Sequence, residues 1–167
     1  MTKRKIDFLL DEYGESHQTS FNQKIHFICV PAIFLSLIGL LATISITDLF
    51  DISDQQGFSS FFLNFAHIGS LVILFGLIYY LRLSFALFIG MLVFSLIVLF
   101  VIRAIEIANI APLWAVMLTI FVIAWIGQFI GHKHEGKKPS FFKDVQFLMI
   151  GPAWTLSHFF KAMNMKF

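Results

Sequence analysis

The chain has 167 residues, of which 58% are hydrophobic and 13% charged, with 22 phenylalanines and a formal net charge of +2. Its mean hydropathy is +0.83, and soluble domains carry about 25% charged residues, so composition excludes an ordinary soluble domain and points to a membrane. The basic residues cluster toward the two ends and leave no basic face to track phosphates, which argues against nucleic acid as a partner, while the single Cys29 excludes a disulfide framework and a cysteine-based metal site.

Met1 to Tyr13 opens with Lys3, Arg4 and Lys5 but continues with Asp7, Asp11 and Glu12 instead of an apolar core, so no cleaved targeting segment is expected. Windows free of Asp, Glu, Lys and Arg then run over Ile25–Thr47, Gln55–Leu81, Leu83–Ile102 and Ile107–Gly131. Each reaches the roughly 20 residues needed to cross a hydrocarbon core of about 30 Å. Because only a helix satisfies its own backbone groups in lipid, the expected fold is an all-α integral membrane protein. It forms a single membrane-embedded domain over 1–167, with four transmembrane helices at about 26–47, 60–80, 83–102 and 112–131.

The connections follow from punctuation. Tyr79 to Arg82 makes a very short turn, which predicts a helical hairpin of the second and third spans. Asp48 to Ser60, with Gly57 and several Ser, Asp and Gln residues, reads as a long loop. Pro112 suits the first turn of the fourth span. Beyond Pro139, Ser140 is placed as an N-cap, and Phe141, Val145, Leu148, Met149 and Pro152 follow at roughly helical spacing. Gly151-Pro152 breaks that stretch, so interfacial or re-entrant helices are expected over 140–165, on the cytoplasmic side, in preference to a fifth crossing.

All of the twelve Lys and Arg residues except Arg103 fall before the first span, between the second and third, or after the fourth. The positive-inside rule therefore predicts a multi-pass protein with both termini cytoplasmic, and a bacterial inner membrane is favoured over the endoplasmic reticulum.

Polar side chains at membrane depth usually mark a site, and four of the six histidines gather by topology at one end of the predicted bundle. His17 and His26 flank the start of the first span, and His132 and His134 follow the end of the fourth. Imidazole nitrogen suits Zn, Cu, Fe or Ni better than Mg or Ca. A solvated interfacial histidine is the plain reading of His17 or His134 alone; the four together favour a metal site. His17 and His26 meet only if the chain bends between them, with Thr19-Ser20 as the N-cap, and Asn22 and His26 then share a face. His132 and His134 lie two apart, a spacing workable only where the helix ends, for which Gly131 is the expected place.

Glu135 reads as a ligand, a base or an acceptor that orients a histidine ring, and Gln128 as a buried polar group facing the site. Lys133, Lys137 and Lys138 pin the loop to anionic headgroups or hold a fatty carboxylate. His67 is expected two turns inside the second span as a packing hydrogen-bonder, His158 at the surface, and Cys29 as a buried thiol.

Two blocks carry a resemblance: His17 through Asn22 with Ile25-His26 to Val30-Pro31, and Trp125 with Gln128-Phe129-Ile130-Gly131-His132, then Glu135 and Lys138-Pro139. Together they resemble the membrane-embedded 2-hydroxy fatty acid dioxygenases of fatty acid alpha-oxidation, over nearly the whole chain. The resemblance implies an Fe2+-dependent enzyme that uses molecular oxygen to shorten a 2-hydroxy fatty acid by one carbon. It implies His17, His26 and His132 as iron ligands, with His134 as the fourth candidate. Glu135 and Gln128 are then the catalytic candidates, and Asn22 and Lys138 the substrate contacts. No cofactor beyond iron is implied. The partners are the 2-hydroxy fatty acid, oxygen and the lipid bilayer, with a homo-oligomer allowed. Two alternatives stand beside it: a di-iron lipid hydroxylase or desaturase, which needs histidines in repeated clusters, and a non-enzymatic scaffold or transporter-like bundle.

Overall fold

A computed structural model describes residues 4–50, 62–136 and 141–165, with the backbone alone over 141–148. Among the described residues there are seven helices and no strand: α1 Lys5–Gly14, α2 Ser20–Ala42, α3 Ile46–Leu49, α4 Ile68–Leu83, α5 Phe85–Ala108, α6 Leu113–Glu135 and α7 Phe141–Ala162. The expected all-helical class is observed, and α2, α5 and α6 are long and apolar enough to cross a membrane.

The second expected span does not reach that length. In place of a helix over 60–80, α4 has 16 residues, about 24 Å at 1.5 Å per residue, which falls short of a hydrocarbon core of about 30 Å. Its start is pinned by the chain leaving α2: Ile46 donates its N–H to Ala66 O at 2.8 Å, and Ile68 donates to Ile44 O at 3.1 Å. His67 is the N-cap of α4, its Nδ1 accepting from Ser70 N at 3.1 Å, so it precedes the helix rather than lying two turns inside one. The loop from Asp48 to Ser60 falls outside the described residues from 51 onward.

The expected break at Gly151-Pro152 is also absent, and α7 runs through it as a single helix. Pro31 likewise sits inside α2 without ending it. Proline removes one backbone donor and crowds the preceding turn, which costs about 3 kcal/mol in isolation. Packing on both sides holds each helix together: Val30, Ile33 and Phe34 surround Pro31, and Ile150, Ala153 and Trp154 surround Pro152, all buried. The remaining boundaries shift by a residue or a turn. Ser84 alone separates α4 from α5, its hydroxyl capping α5 by accepting from Leu87 N, and Pro112 is the N-cap of α6 rather than its first helical residue.

Local sequence explains the first corner. Arg4 and Asp7 close a bidentate ion pair at 2.9 and 2.8 Å over the start of α1. Ile6, Leu9, Leu10 and Tyr13 recur on one face at helical spacing and are all buried. That face packs on α7 in a cluster with Ile150, Ala153, Trp154 and Phe160. Burying a side chain of this size contributes about 1.5–3 kcal/mol, so α1 is docked by its apolar stripe. Thr19 then starts α2, its side chain accepting from Asn22 N, which is the bend expected at Thr19-Ser20.

The most extensive packing is between α2 and α6. Gly127 and Gly131 lie four apart on α6, and a Cβ on Gly127 would overlap Cys29 Sγ at 2.6 Å, while one on Gly131 would overlap Asn22 Oδ1 more severely. This small-xxx-small spacing lets two membrane helices approach closely. A second cluster, with Phe34, Ile38, Ile73, Val98, Ile102 and Met117, fills the space between α2, α4, α5 and α6. Phe75, Phe85, Phe100 and Ile123 face outward, each 60–67% exposed, as side chains that meet lipid do.

Candidate metal centre

The α1–α2 corner and the last turns of α6 bring three histidines into one buried group. His17, His26 and His132 each offer a ring nitrogen, and these atoms all lie within 4.8 Å of one another. The ring centroids are separated by 4.1 Å for His17 and His26, 4.9 Å for His26 and His132, and 5.1 Å for His17 and His132. The three side chains are 4%, 0% and 7% exposed, so all three are buried.

Two of the rings are fixed through one nitrogen. His17 Nδ1 lies 2.6 Å from Tyr13 O, and His26 Nδ1 lies 2.9 Å from Asn22 O. A carbonyl can only accept, so both rings carry the proton on Nδ1 and present Nε2 with its lone pair. This is the arrangement that metal-binding histidines adopt, where the second nitrogen donates to a backbone carbonyl and fixes the tautomer. His26 Nε2 and His132 Nδ1 are buried with no hydrogen-bond partner. A buried polar atom left unsatisfied costs about 1–3 kcal/mol, and a cation between the rings would satisfy both, so the donor set fits a nitrogen-coordinated transition metal.

Glu135 ties the two helices together. Its carboxylate accepts from Gln18 N at 2.8 Å, Thr19 N at 3.0 Å, Thr19 Oγ1 at 2.5 Å and Asn22 Nδ2 at 3.3 Å. Four donors converging on two oxygens suit an ionised carboxylate, and bonds to a charged acceptor are shorter and stronger than neutral ones. Through them one side chain at the end of α6 holds the residue after His17, the cap of α2, and the residue one turn before His26. It also lies one turn beyond His132 on its own helix. Asn22 Nδ2 donates in addition to Ser16 O at 3.1 Å, and its buried Oδ1 has no partner.

Aromatic rings wall the group on the side of α1 and α7. Tyr13 stacks on His17 at 4.3 Å with an interplanar angle of 11°, and Trp154 lies 5.3 Å from the same ring.

This geometry is met by a family match. The family described as 2-hydroxy-palmitic acid dioxygenase Mpo1-like matches residues 4–163. The chain belongs to the Mpo1-like family. Searches among curated proteins and among solved structures found no match.

Within this Mpo1-like chain the other expected site residues are placed as follows. His134 lies on the same helix two positions beyond His132, because α6 continues past Gly131 to Glu135 and ends at Gly136 in the left-handed conformation, φ +73°. Two residues turn an α-helix by about 200°, so His134 is exposed on the other side with its ring 4.7 Å from Phe21. Gln128 is buried one turn before His132 on the same face. Lys138 lies outside the described residues. His158 is half-buried and packs against Trp154 at 4.2 Å with the rings tilted by 54°, its Nδ1 3.0 Å from Trp154 O.

Three features of the site escaped the sequence reading. Tyr13 and Trp154 come from helices that show in sequence only as ordinary amphipathic segments. The close approach of α2 and α6 was written in Gly127-Gln128-Phe129-Ile130-Gly131, a G-x-x-x-G spacing that is a recognisable signal in an apolar helix. The third is the four-donor hold on Glu135, for which no short-range pattern exists.

Proposed function

We propose that this protein is an iron(II)-dependent dioxygenase that shortens a 2-hydroxy fatty acid by one carbon, with His17, His26 and His132 as the ligands. The observation that carries this reading is the buried three-histidine group, with two rings fixed through Nδ1 to backbone carbonyls and unsatisfied nitrogens on His26 and His132. The family name supplies the substrate class.

Iron(II) held by His17, His26 and His132 would supply Lewis-acid chemistry and the reaction with oxygen. The chain's own residues do the rest. Tyr13 O and Asn22 O hold the His17 and His26 rings in one tautomer and one orientation. Glu135 acts as a positioning residue that keeps the α1–α2 corner against the end of α6. Asn22 Oδ1, the acceptor left over when Nδ2 is committed to Ser16 O and Glu135, is the group that accepts a hydrogen bond from the substrate's 2-hydroxyl. Tyr13, Trp154 and Phe27 exclude water on one side, and Gln128 lines the wall on the α6 side. His134 takes no part in metal binding. The acyl chain lies among the outward-facing phenylalanines, at the level of the bilayer.

The test is anaerobic purification in detergent, iron analysis, then addition of 2-hydroxypalmitic acid and oxygen with mass spectrometry of the acids. The proposal expects one iron per chain and the acid one carbon shorter. Two irons per chain would favour the di-iron alternative, and no oxidation by an iron-loaded preparation would overturn the assignment.

A further inference from the structure

Gln128 is 7% exposed, and its side-chain amide meets no hydrogen-bond partner among the described residues. It stands on α6, a helix long and apolar enough to cross a membrane. A buried amide that no neighbour satisfies is costly there, because lipid offers no substitute for water. Polar groups kept at such depth serve a site.

Its place on the helix brings Gln128 to the histidine group. A helical side chain leans back over the turn before its own Cα, so the His132 ring covers the turn that holds Gln128, four residues earlier. Gly131 marks where Asn22 comes in, since a Cβ there would overlap Asn22 Oδ1. Positions three apart on a helix stand about 5–6 Å from each other at Cβ, so Gln128 and Asn22 Oδ1 border the same space beside His132. The two groups differ in what they offer. Asn22 Nδ2 is committed to Ser16 O and Glu135, which leaves a buried oxygen that only accepts. The Gln128 amide also donates, through two N–H groups. A 2-hydroxy acid presents the converse set on adjacent carbons, a hydroxyl that donates and a carboxylate that only accepts. α6 carries no charged residue before Lys133, so at this depth the helix meets a carboxylate with a neutral donor.

We propose that Gln128 is a specificity-determining residue of the site, its amide N–H donating to the substrate carboxylate while Asn22 Oδ1 accepts from the 2-hydroxyl. The inference rests on the reading of the three histidines as a metal centre for 2-hydroxy fatty acids. It deepens that reading by giving each of the substrate's two oxygen functions its own protein group.

The test uses the full-length protein in micelles, loaded anaerobically with cobalt(II), whose d–d absorption reports a ligand entering the metal's surroundings. Three probes share one chain length: 2-hydroxypalmitic acid, palmitic acid, which lacks the hydroxyl, and 1,2-hexadecanediol, which lacks the carboxylate. Gln128→Met keeps the size of the side chain and removes the donor. It should bind cobalt as the wild type does and melt no lower, since replacing an unpaired buried polar group by an apolar one of similar shape removes a desolvation cost. Both acids should bind about tenfold more weakly, the loss of one hydrogen bond to a charged group, while the diol binds as before and the preference for the 2-hydroxy acid over palmitic acid persists. Failure of the wild type to bind cobalt, or of its cobalt form to bind 2-hydroxypalmitic acid, would overturn the reading of the site and this inference with it. With both in place, unchanged acid affinities in Gln128→Met, or an equal loss for all three probes, would overturn the role of Gln128 alone.

Discussion

Replacing Glu135 by glutamine keeps the shape of the side chain and removes its charge and one acceptor oxygen. In the native arrangement the carboxylate accepts from Gln18 N, Thr19 N, Thr19 Oγ1 and Asn22 Nδ2. A glutamine places its carbonyl oxygen against the two backbone N–H groups and its amide against Thr19 Oγ1, which turns to accept. Asn22 Nδ2 then loses this partner, and the remaining bonds become neutral. Hydrogen bonds to charged groups contribute about 1.5–3 kcal/mol and neutral ones about 0.5–1.5. Glu135 is part-exposed, so solvent takes up some of the difference, and a loss of about 1–2 kcal/mol is expected for the hold between α6 and the α1–α2 corner. Because that hold sets where His17 and His26 stand relative to His132, cobalt(II) or iron(II) affinity should fall by about tenfold for Glu135→Gln and more for Glu135→Ala, within the range typical of groups that orient metal ligands. The assay is anaerobic metal titration of the purified variants, with helicity measured in parallel to confirm folding. Wild-type metal affinity in both variants would refute the positioning role; if it came with a collapsed turnover number, Glu135 would instead be the base that the sequence also allowed.

Further outcomes follow from the same geometry. Gly131→Ala places a Cβ against Asn22 Oδ1 at the closest point of α2 and α6; overpacking of this kind costs about 1–3 kcal/mol, and the variant should lose thermal stability and bound metal together, read by scanning calorimetry and metal analysis. His134→Ala should retain the wild-type metal content, whereas His132→Ala should lose it; equal losses would place His134 in the coordination shell. His67 caps α4 in its neutral form, and burial pushes its pKa below the ordinary value against a smaller upward pull from Glu106. The folded state therefore binds fewer protons than the unfolded one, so this contribution to stability is full above the unfolded pKa of about 6.5 and declines as the pH falls below it. His67→Asn keeps a capping acceptor and should flatten that decline in a pH series of thermal unfolding.

The fold was readable where one dominant pattern governs, and less so where two compete. The apolar windows placed α2, α5 and α6 because uncharged length alone decides whether a helix spans. The same criterion overextended α4, since the backbone bonds from Ile44 and Ile46 to the Ala66–Ile68 turn outweigh an uncharged run that gives no hint of them. Gly151-Pro152 has the pattern of a break because proline ends isolated helices, yet in α7 the burial of Ile150, Ala153 and Trp154 keeps the helix whole. At the site, the meeting of the α2 start with the α6 end was legible from topology, as was the Thr19 cap. The choice between His132 and His134 was not, because it turned on where α6 stops. Gly131 is tolerated within the helix for its close approach to α2, and Gly136, at φ +73°, supplies the ending. Tyr13 and Trp154 reach His17 only through the docking of α1 on α7, a long-range packing event that no local pattern encodes.

The central claim is that three histidines from two helices hold one iron that oxidises a 2-hydroxy fatty acid. The most direct measurement compares wild type with His26→Ala and His132→Ala, purified anaerobically and reconstituted with iron(II), for iron per chain and for conversion of 2-hydroxypalmitic acid on exposure to oxygen. The account predicts one iron per chain and formation of the acid one carbon shorter in the wild type, with both lost in each folded variant. Undiminished iron binding and lipid oxidation in the two variants would contradict it.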